Sequence, residues 1–291
     1  MSTRLAIVTD IHYGADQFTK RSSQGLKLIE DFARFVDDAK PDAVLELGDR
    51  ITDSDHDTDL ELETAVAEAF APIAQPRHHI CGNHDLDYLS VEENERILGQ
   101  SMASQTVDIG DWRLVLWRAD CRFHNPGGLV LVERDLLWLA GVLRRADKPL
   151  LIASHVPVSG TCYSGHYYFE KNPEAATFDG ADRVRAELHG CQQPIVWVSG
   201  HVHCNTVSVV DGIAHITQQS LTETCTTYPE PAGTVGLIEL ADTVQWQAIG
   251  HDSMEVRLKT PDLARRWVTP LPAFDDHPEM RLAKVQRQAA Q

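Results

Sequence analysis

The chain has 291 residues, with 26 Lys and Arg against 43 Asp and Glu, so its formal net charge is −17. Hydrophobic residues make up 43% and charged residues 24% of it, which excludes a fully disordered chain, a collagen and a coiled coil. The acidic balance argues against general binding to nucleic acid or to an anionic membrane, because phosphate backbones are held mainly by Lys and Arg. A small phosphate ligand in a locally positive pocket is still compatible with this charge.

Short apolar or β-branched runs alternate with helical patterns along the first two thirds of the chain. This alternation predicts crossover units, and therefore a largely parallel sheet with helices on its faces. The predicted strands of this part are Leu5–Thr9, Ala43–Leu47, His79–Cys81, Arg113–Trp117, Leu150–Ser154 and Ile195–Ser199. The helical patterns lie at Leu26–Val36, Leu62–Ile73, Val91–Leu98, Leu136–Leu143 and Ala181–Leu188.

The pattern becomes β-rich after His203. Thr206–Val210 and Ile213–Thr217 flank an Asp-Gly pair, which is a strong hairpin signal. Val235–Leu240 and Thr243–Ile249 flank another short turn. We therefore expect this region to contribute to a second sheet, either mixed or antiparallel.

The last forty residues contain several prolines. We predict that residues 251–291 are a Pro-rich wrapping tail and not a separate domain, so that residues 1–250 form a single domain. A short exposed helix is predicted near the end of the tail, over Glu279–Gln288.

The sequence predicts a cytoplasmic protein. No segment approaches the roughly 20 consecutive apolar residues that span a bilayer, and Asp10 interrupts the N-terminus before the apolar core of a signal peptide. The six cysteines are scattered without a Cys-x-x-Cys pair. We expect them to be reduced and mostly buried thiols.

Five small polar clusters carry the functional signal, and each directly follows a predicted strand. In open α/β sheets the carboxyl ends of the strands line the ligand crevice, so we expect these clusters to meet there. Any one of them is common by chance, and a single buried histidine is more often a core residue than a ligand. The clusters are Asp10-Ile11-His12, Gly48-Asp49, Gly82-Asn83-His84-Asp85, His155 and Gly200-His201-Val202-His203.

The residue types in these clusters indicate a metal site. Carboxylate, imidazole and amide oxygen suit Mn, Fe, Co, Ni or Zn better than Ca or Cu(I), and the lack of Cys disfavours a structural zinc site. In an extended chain, Asp10 and His12 point to the same side, as do His201 and His203. Seven candidate ligands are too many for one catalytic ion with open positions, and they suit two ions that share a carboxylate.

With these motifs the chain resembles the calcineurin-like metallophosphoesterase superfamily. The family pattern D-x-H, GD, GNH[DE], H and GHxH is met in order by residues 10–12, 48–49, 82–85, 155 and 200–203. The GNHD ending and the spacing are most similar to the bacterial branch of cyclic-nucleotide and glycerophosphodiester phosphodiesterases. The resemblance implies an α/β fold, a four-layer sandwich of two mixed β-sheets flanked by helices, with the catalytic domain in residues 1–250.

The resemblance also implies a cofactor of two divalent transition-metal ions, for which Mn, Fe, Zn and Co are candidates. Such ions would outweigh the charges of two carboxylates and leave the pocket positive enough to attract a phosphoester. His84 would face the substrate and would not be a ligand. By motif position, the first ion takes Asp10, His12, Asp49 and His203, and the second takes Asp49, Asn83, His155 and His201, with Asp49 as the bridge.

The implied activity is hydrolysis of a phosphodiester, either a cyclic nucleotide or a glycerophosphodiester. A hydroxide activated by both ions would attack phosphorus, and His84 would assist the leaving oxygen. A phosphomonoesterase or a pyrophosphatase of nucleotide conjugates would use the same centre with a different pocket. A nuclease is disfavoured by the acidic charge, and a non-catalytic scaffold by the presence of every ligand position. The implied partners are a small phosphoester and further copies of the chain in a homo-oligomer, without a membrane.

Arg50 and Asp53 follow the second cluster, and the sequence leaves two alternative roles for each of them. Arg50 follows the bridging aspartate and either contacts the substrate phosphate or forms an ion pair elsewhere. Many family members carry an acid three positions after the bridge, whereas here Asp53 lies four positions on. Asp53 therefore either orients His84 or belongs to a solvated acidic loop, which we predict over residues 53–59.

Residues 161–169 are rich in aromatic side chains and follow His155. They form either a lid that stacks on a base, a contact with a partner subunit, or a loop packed on its own core.

Overall fold

The computed structural model describes residues 2–268 and 278–289, and within these the strands form two six-stranded sheets and one short hairpin. The strands are β1 (Thr3–Val8), β2 (Ala43–Glu46), β3 (Arg77–His79), β4 (Gln105–Ile109), β5 (Trp112–Leu116), β6 (Phe123–His124), β7 (Gly128–Leu129), β8 (Leu150–Ala153), β9 (Ile195–Ser199), β10 (Thr206–Val210), β11 (Ile213–Thr217), β12 (Val235–Leu240), β13 (Thr243–Ile249) and β14 (Met254–Lys259). The helices are α1 (Gly25–Ala39), α2 (His56–Phe70), α3 (Val91–Leu98), α4 (Glu133–Arg144), α5 (Ala181–Gly190) and α6 (Pro278–Ala289).

Both sheets are mixed: the first joins a parallel half to an antiparallel half, and the second has a parallel centre with antiparallel edges. The first sheet has the order β14-β13-β12-β1-β2-β3, in which β1, β2 and β3 are parallel and Ile7 lies beside Leu45. The second has the order β10-β11-β9-β8-β5-β4, in which β11, β9, β8 and β5 are parallel and Ile152 lies beside Trp197. The predicted crossover units and a second, mixed sheet are confirmed, and β10 and β11 join that sheet as expected. The expected placement of β12 and β13 is wrong, because they extend the first sheet beside β1. The six early strands also do not share one parallel sheet, since they are divided between the two sheets.

Alternation of side chains along the strands produces four layers. In β1, Leu5 and Ile7 enter the core between the two sheets, whereas Ala6 and Val8 pack beneath α1 and α2. On the far side, Trp117 and neighbouring side chains of the second sheet pack against α4 and α5. The predicted sandwich of two mixed sheets flanked by helices is therefore confirmed.

β3 and β14 differ from the sequence-based expectation. β3 begins and ends two residues before the predicted strand His79–Cys81. The sequence does not indicate this start, because Arg77 and His78 are polar and the prediction depends on an apolar pattern. β14 lies in the predicted tail and pairs with β13, with Val256 beside Trp246. The predicted terminal helix is confirmed as α6, whereas Pro270 and Pro272 of the tail lie outside the described residues. The division of the chain at residue 250 stays a prediction.

The acidic segment after β2 is a helix start, so the prediction of a solvated loop is wrong from His56 onward. Asp55 caps α2 by accepting a hydrogen bond from the Thr58 amide at 3.1 Å. Asp59, in the first turn, is fully buried and accepts from the Ser54 amide at 2.9 Å. Carboxylates stabilise this end of a helix because its first amides lack partners in the helix.

Two general features complete the fold. Among the described residues, no helix has both the length and the apolar character needed to cross a membrane. All six cysteines are free thiols, and four of them are buried.

Candidate dinuclear metal centre

The five polar clusters leave the two sheets at the same edge. Asp10 and Asp49 follow β1 and β2 of the first sheet, and His155 and His201 follow β8 and β9 of the second. The His201 amide donates a hydrogen bond to Asp10 Oδ2 at 2.9 Å, which joins the two sheets at this point. The structure thus brings together all seven predicted ligand residues.

Left-handed backbone conformations are concentrated in these clusters. Such a conformation is rare outside glycine and costs about 1–3 kcal/mol per residue, so its concentration at one place indicates a functional constraint. The extended alternation that we invoked for Asp10 and His12 is wrong, because β1 ends at Val8 and tight turns bring the side chains together. The site residues concerned are Asp10 (φ 51°), His12 (46°), Asp49 (56°), His201 (69°) and His203 (55°).

Close packing of two loops explains one of the motif glycines. A Cβ atom on Gly82 would overlap the carboxylate of Asp49. The loop after β3 can therefore approach the loop after β2 only without a side chain at this position.

Four side chains form the first donor cluster. His12 Nε2 lies 2.9 Å from His203 Nε2 and 3.6 Å from Asp49 Oδ2. His203 Nε2 lies 3.3 Å from Asp10 Oδ1. Asp10, His12 and Asp49 are fully buried or nearly so, and the His203 side chain is 15% exposed.

The second donor cluster uses the same carboxylate oxygen. His155 Nε2 lies 3.3 Å from Asp49 Oδ2 and 3.3 Å from Asn83 Oδ1. His201 Nδ1 lies 3.2 Å from His155 Nε2. Asp49 Oδ2 is thus the atom that the two clusters share.

The spacing of these atoms fits a pair of divalent ions. Two ligand atoms about 2.1 Å from one ion lie roughly 3.0 Å apart at right angles and roughly 3.4 Å apart at the tetrahedral angle. The contacts of His12, His203, His155 and Asp49 given above fall around these values. Nitrogen and carboxylate donors of this kind suit Mn, Fe, Co and Zn.

Hydrogen bonds behind the rings orient two of these histidines. His155 Nδ1 lies 2.8 Å from the Leu47 carbonyl oxygen, and His203 Nδ1 lies 3.1 Å from Glu223 Oε2. An acceptor at one ring nitrogen holds a proton there, so the other nitrogen presents its lone pair to the cluster. Glu223 belongs to no sequence motif, and nothing in its local sequence marks it as a site residue.

His201 is held through its other ring nitrogen. Its Nε2 lies 2.6 Å from the Ala175 carbonyl oxygen, which leaves Nδ1 for the second cluster. This contact also joins the segment after β8 to the site. His12 Nδ1 is buried and has no hydrogen-bond partner within the described residues.

The electrostatic environment favours positive charge. Burial alone would lower the pKa of His155, but the Asp49 carboxylate raises it to about 9. In the same way, Asp10 overcomes the effect of burial and raises the pKa of His203 to about 9. Carboxylates that stabilise an imidazolium would equally stabilise a metal cation, whose binding would displace these protons.

His84 lies at the border of the centre and outside both clusters. Its Nε2 is 4.0 Å from Asp49 Oδ2, and its Nδ1 hydrogen-bonds to the Asp53 carboxylate. Burial opposes protonation of this ring, but Asp49 and Asp53 together raise the pKa of His84. Of the two sequence-based alternatives for Asp53, contact with His84 is the one observed.

Arg50 lies beneath the site, so the prediction that it contacts substrate is corrected. Its guanidinium is fully buried and donates to Glu46 Oε2 at 2.7 Å and to Glu63 Oε1 at 2.6 Å. Asp85 Oδ2 lies 3.1 Å from Arg50 Nη2, and the same carboxylate accepts from the Asp49 amide at 3.0 Å. This network supports the loop that carries Asp49.

The aromatic segment 161–169 borders a cavity of about 580 Å³ beside the centre. The ring of Phe169 lies 5.4 Å from the ring of His201, measured between centroids. Tyr167 and Tyr168 are 62% and 48% exposed and line the same cavity as His84. These three aromatic side chains thus lie beside the metal-binding clusters.

Comparison with known proteins identifies relatives of this architecture. Residues 3–205 match the family model described as calcineurin-like phosphoesterase. No curated protein sequence matches the chain at a significant level.

Solved structures with the same fold include several hydrolases. A dimetal phosphatase from Danio rerio has a TM-score of 0.71 at 16% identity, covering 89% of this chain and 99% of its own. Purple acid phosphatase PPD1 from yellow lupin has a TM-score of 0.58 at 14% identity, covering 94% of this chain and 57% of its own. Phosphopantetheinyl hydrolase from Mycobacterium tuberculosis has a TM-score of 0.50 at 12% identity, covering 78% and 93%. At these identities the likeness shows the fold alone, and the family match together with the two donor clusters indicates divalent metal ions.

Proposed function

The chain belongs to the calcineurin-like phosphoesterase family, and we propose that it is a dinuclear metal-dependent enzyme that hydrolyses phosphodiesters. Cyclic nucleotides and glycerophosphodiesters are the substrate classes to examine first. The observation that carries the proposal is the position of Asp49 Oδ2, which lies within 3.6 Å of His12 in one donor cluster and 3.3 Å of His155 in the other. The acidic chain disfavours a polyanionic substrate, and a cytoplasmic location stays a prediction, as does assembly into a homo-oligomer.

Two sets of side chains would hold the ions. A pair of divalent ions would lower the pKa of water towards ~7 and stabilise negative charge on the phosphoryl oxygens. The first set is Asp10, His12, Asp49 and His203, and the second is Asp49, Asn83, His155 and His201.

In this proposal His84 handles the leaving group. Nδ1 donates a hydrogen bond to the Asp53 carboxylate, which keeps the Nδ1 proton in place and fixes the ring so that Nε2 faces the cavity. As an oxygen from water bonds to phosphorus and the bond to the leaving oxygen breaks, Nε2 would give its proton to the departing oxygen, and the imidazolium would become a neutral imidazole. Asp49, 4.0 Å from Nε2, favours the protonated ring before this step.

A substrate panel tests the proposal. We expect Mn-loaded protein to hydrolyse bis(4-nitrophenyl) phosphate faster than 4-nitrophenyl phosphate, and chelation by EDTA to abolish both activities. The 3′,5′- and 2′,3′-cyclic nucleotides and glycerophosphodiesters then identify the preferred diester. Protein that binds less than stoichiometric metal and hydrolyses no ester with Mn, Fe, Zn or Co would contradict the proposal and favour a scaffold.

Replacing His84 with glutamine is expected to lower kcat about 100-fold on an alkyl phosphodiester, because the leaving alkoxide loses its proton donor. On bis(4-nitrophenyl) phosphate, whose leaving group needs no proton, the loss should be several times smaller. His56→Gln is the matched control, since His56 is half exposed and contacts Glu93 on the surface. Equal losses on both substrates would contradict the proton transfer, and metal analysis checks that the ions are retained.

Replacing Asp53 with asparagine is expected to lower kcat on the alkyl diester about 10-fold, the size usual for a residue that orients a site histidine. KM should change little, because Asp53 acts through His84 and not on substrate. Asp53→Glu keeps a carboxylate and should be faster than Asp53→Asn. A purely structural role for Asp53 predicts no such difference in rate. Asp57→Asn, at a side chain that is 98% exposed, is the control. A loss in the control equal to that of Asp53→Asn would refute the positioning role.

A further inference from the structure

The cavity beside the metal-binding clusters contains two features that hydrolysis itself does not require, an exposed phenylalanine and a lysine. We propose that this cavity binds a phosphoester in which the group that stays on the phosphate after hydrolysis carries a planar aromatic ring. Phe18 contacts this ring, and Lys20 contacts the phosphate. This inference names the substrate class and rests on the proposed function.

Lys20 is available to an anionic ligand. It lines the cavity together with Asp49 and His84 and is only partly exposed. Within the described part of the chain, the Lys20 ammonium forms no ion pair. A cation beside the reacting group, without its own carboxylate, can hold phosphoryl oxygens that the metal ligands do not reach.

Backbone hydrogen bonds hold Lys20 in this position. The Lys20 amide donates to the Gln17 carbonyl at 2.8 Å, and the reverse bond closes a two-residue turn at 3.3 Å. The Thr19 carbonyl accepts from both the amide and the hydroxyl of Thr224, at 3.0 and 2.6 Å. The turn is thereby attached to the segment that carries Glu223, the partner of a predicted metal ligand.

Phe18 occupies the tip of this turn with no role in the core. Its side chain is 97% exposed, and its φ of 48° is a left-handed conformation that a phenylalanine rarely adopts. A strained backbone and a fully exposed aromatic ring at the mouth of a site indicate a ligand contact. The rings of Tyr167 and Tyr168 line the same cavity from the other segment.

These features favour a small ligand over a second protein chain. The aromatic residues line the same cavity as Asp49 and His201, so a ring bound there lies close enough to the donor clusters to belong to the same molecule as the reacting phosphate. A volume of about 580 Å³ is typical of a pocket for a molecule of nucleotide size. Stacking on aromatic side chains recognises the flat face of a ring with little regard to its edge, which defines a class and not one compound.

Two non-hydrolysable ligands distinguish the contribution of the ring to binding affinity from that of the phosphate. We would titrate Mn-loaded full-length protein calorimetrically with the 5′-phosphonate analogues of adenosine monophosphate and of ribose 5-phosphate, which share the sugar and the phosphonate and differ at C1′, where only the first carries a base. The adenosine analogue should bind at least about 10-fold more tightly, an effect in the range of one base stacked on an aromatic side chain. Phe18→Ala should reduce this preference below about 3-fold. Lys20→Gln should weaken both ligands about 10-fold and leave the preference unchanged.

Matched controls and a parallel assay keep the outcomes distinct. Phe123→Ala and Lys27→Gln, at exposed positions outside the cavity, should bind both ligands as the parent does. Equal affinity for the two ligands, or an undiminished preference in Phe18→Ala, overturns the ring contact. Unchanged affinity in Lys20→Gln overturns the phosphate contact. Turnover of bis(4-nitrophenyl) phosphate is measured on the same preparations, because its absence with normal binding contradicts the proposed function and not this inference.

Discussion

Replacing Asp49 with asparagine is expected to lower kcat/KM by roughly 10³-fold or more and to reduce bound metal from two ions to less than one per chain. The reason is that one oxygen, Asp49 Oδ2, lies 3.6 Å from His12 and 3.3 Å from His155, so a single substitution removes a charged donor from both clusters. Asparagine keeps the shape, and its carbonyl oxygen can still accept the His84 amide bond that Asp49 Oδ1 accepts at 3.0 Å. Metal analysis after gel filtration and initial rates with Mn measure the two effects.

The control for this substitution is Asp37→Asn, at an exposed position on α1. It makes the same change of charge and should keep both ions and the full rate. Circular dichroism of Asp49→Asn checks that the sheets are intact. If that variant retained two ions and a rate within about 10-fold of the parent, the two clusters would not depend on a shared carboxylate.

The sequence predicts the strands best where a local pattern is bounded by breakers. The sequence predicts Ile195–Ser199 with its observed bounds, because a largely apolar run lies between Pro194 and Gly200. The same reason locates Asp10, His155 and His201, each of which lies two residues after the end of a strand. β14 was missed because charged residues alternate along an edge strand that has one exposed face.

The residues that hold the site residues in position are distant from them in sequence. No local sequence pattern indicates these contacts. Glu223 reaches His203 from a segment without a motif, and Lys20 is positioned through hydrogen bonds to the same segment. Arg50 shows the limit most clearly. Its sequence position beside Asp49 suggests contact with the substrate phosphate. In the structure, Arg50 is buried among three carboxylates that come from separate elements.

Replacing Arg50 with methionine is expected to lower the free energy of unfolding by about 3–5 kcal/mol, because it leaves buried carboxylates without their counter-ion. Glu46, Glu63 and Asp85 all have side chains with 0% exposure, and each lies within 3.1 Å of the guanidinium. Such a loss corresponds to a fall of roughly 10 °C in Tm for a chain of this size. Urea unfolding and thermal melting in a constant Mn concentration measure it.

Two further variants separate the buried charge from the loss of a large side chain. Arg113→Met removes an arginine that pairs with Asp108 and Asp147 on the surface, and it should cost less than about 1 kcal/mol. Adding Glu63→Gln to Arg50→Met removes one of the stranded carboxylates while keeping its shape, so the double variant should be more stable than Arg50→Met alone. If Arg50→Met were as mild as Arg113→Met, or if Glu63→Gln made it worse, these carboxylates would not carry the charge that binds the guanidinium. The loop that holds Asp49 would then owe its position to packing and to the amide bonds with Asp85.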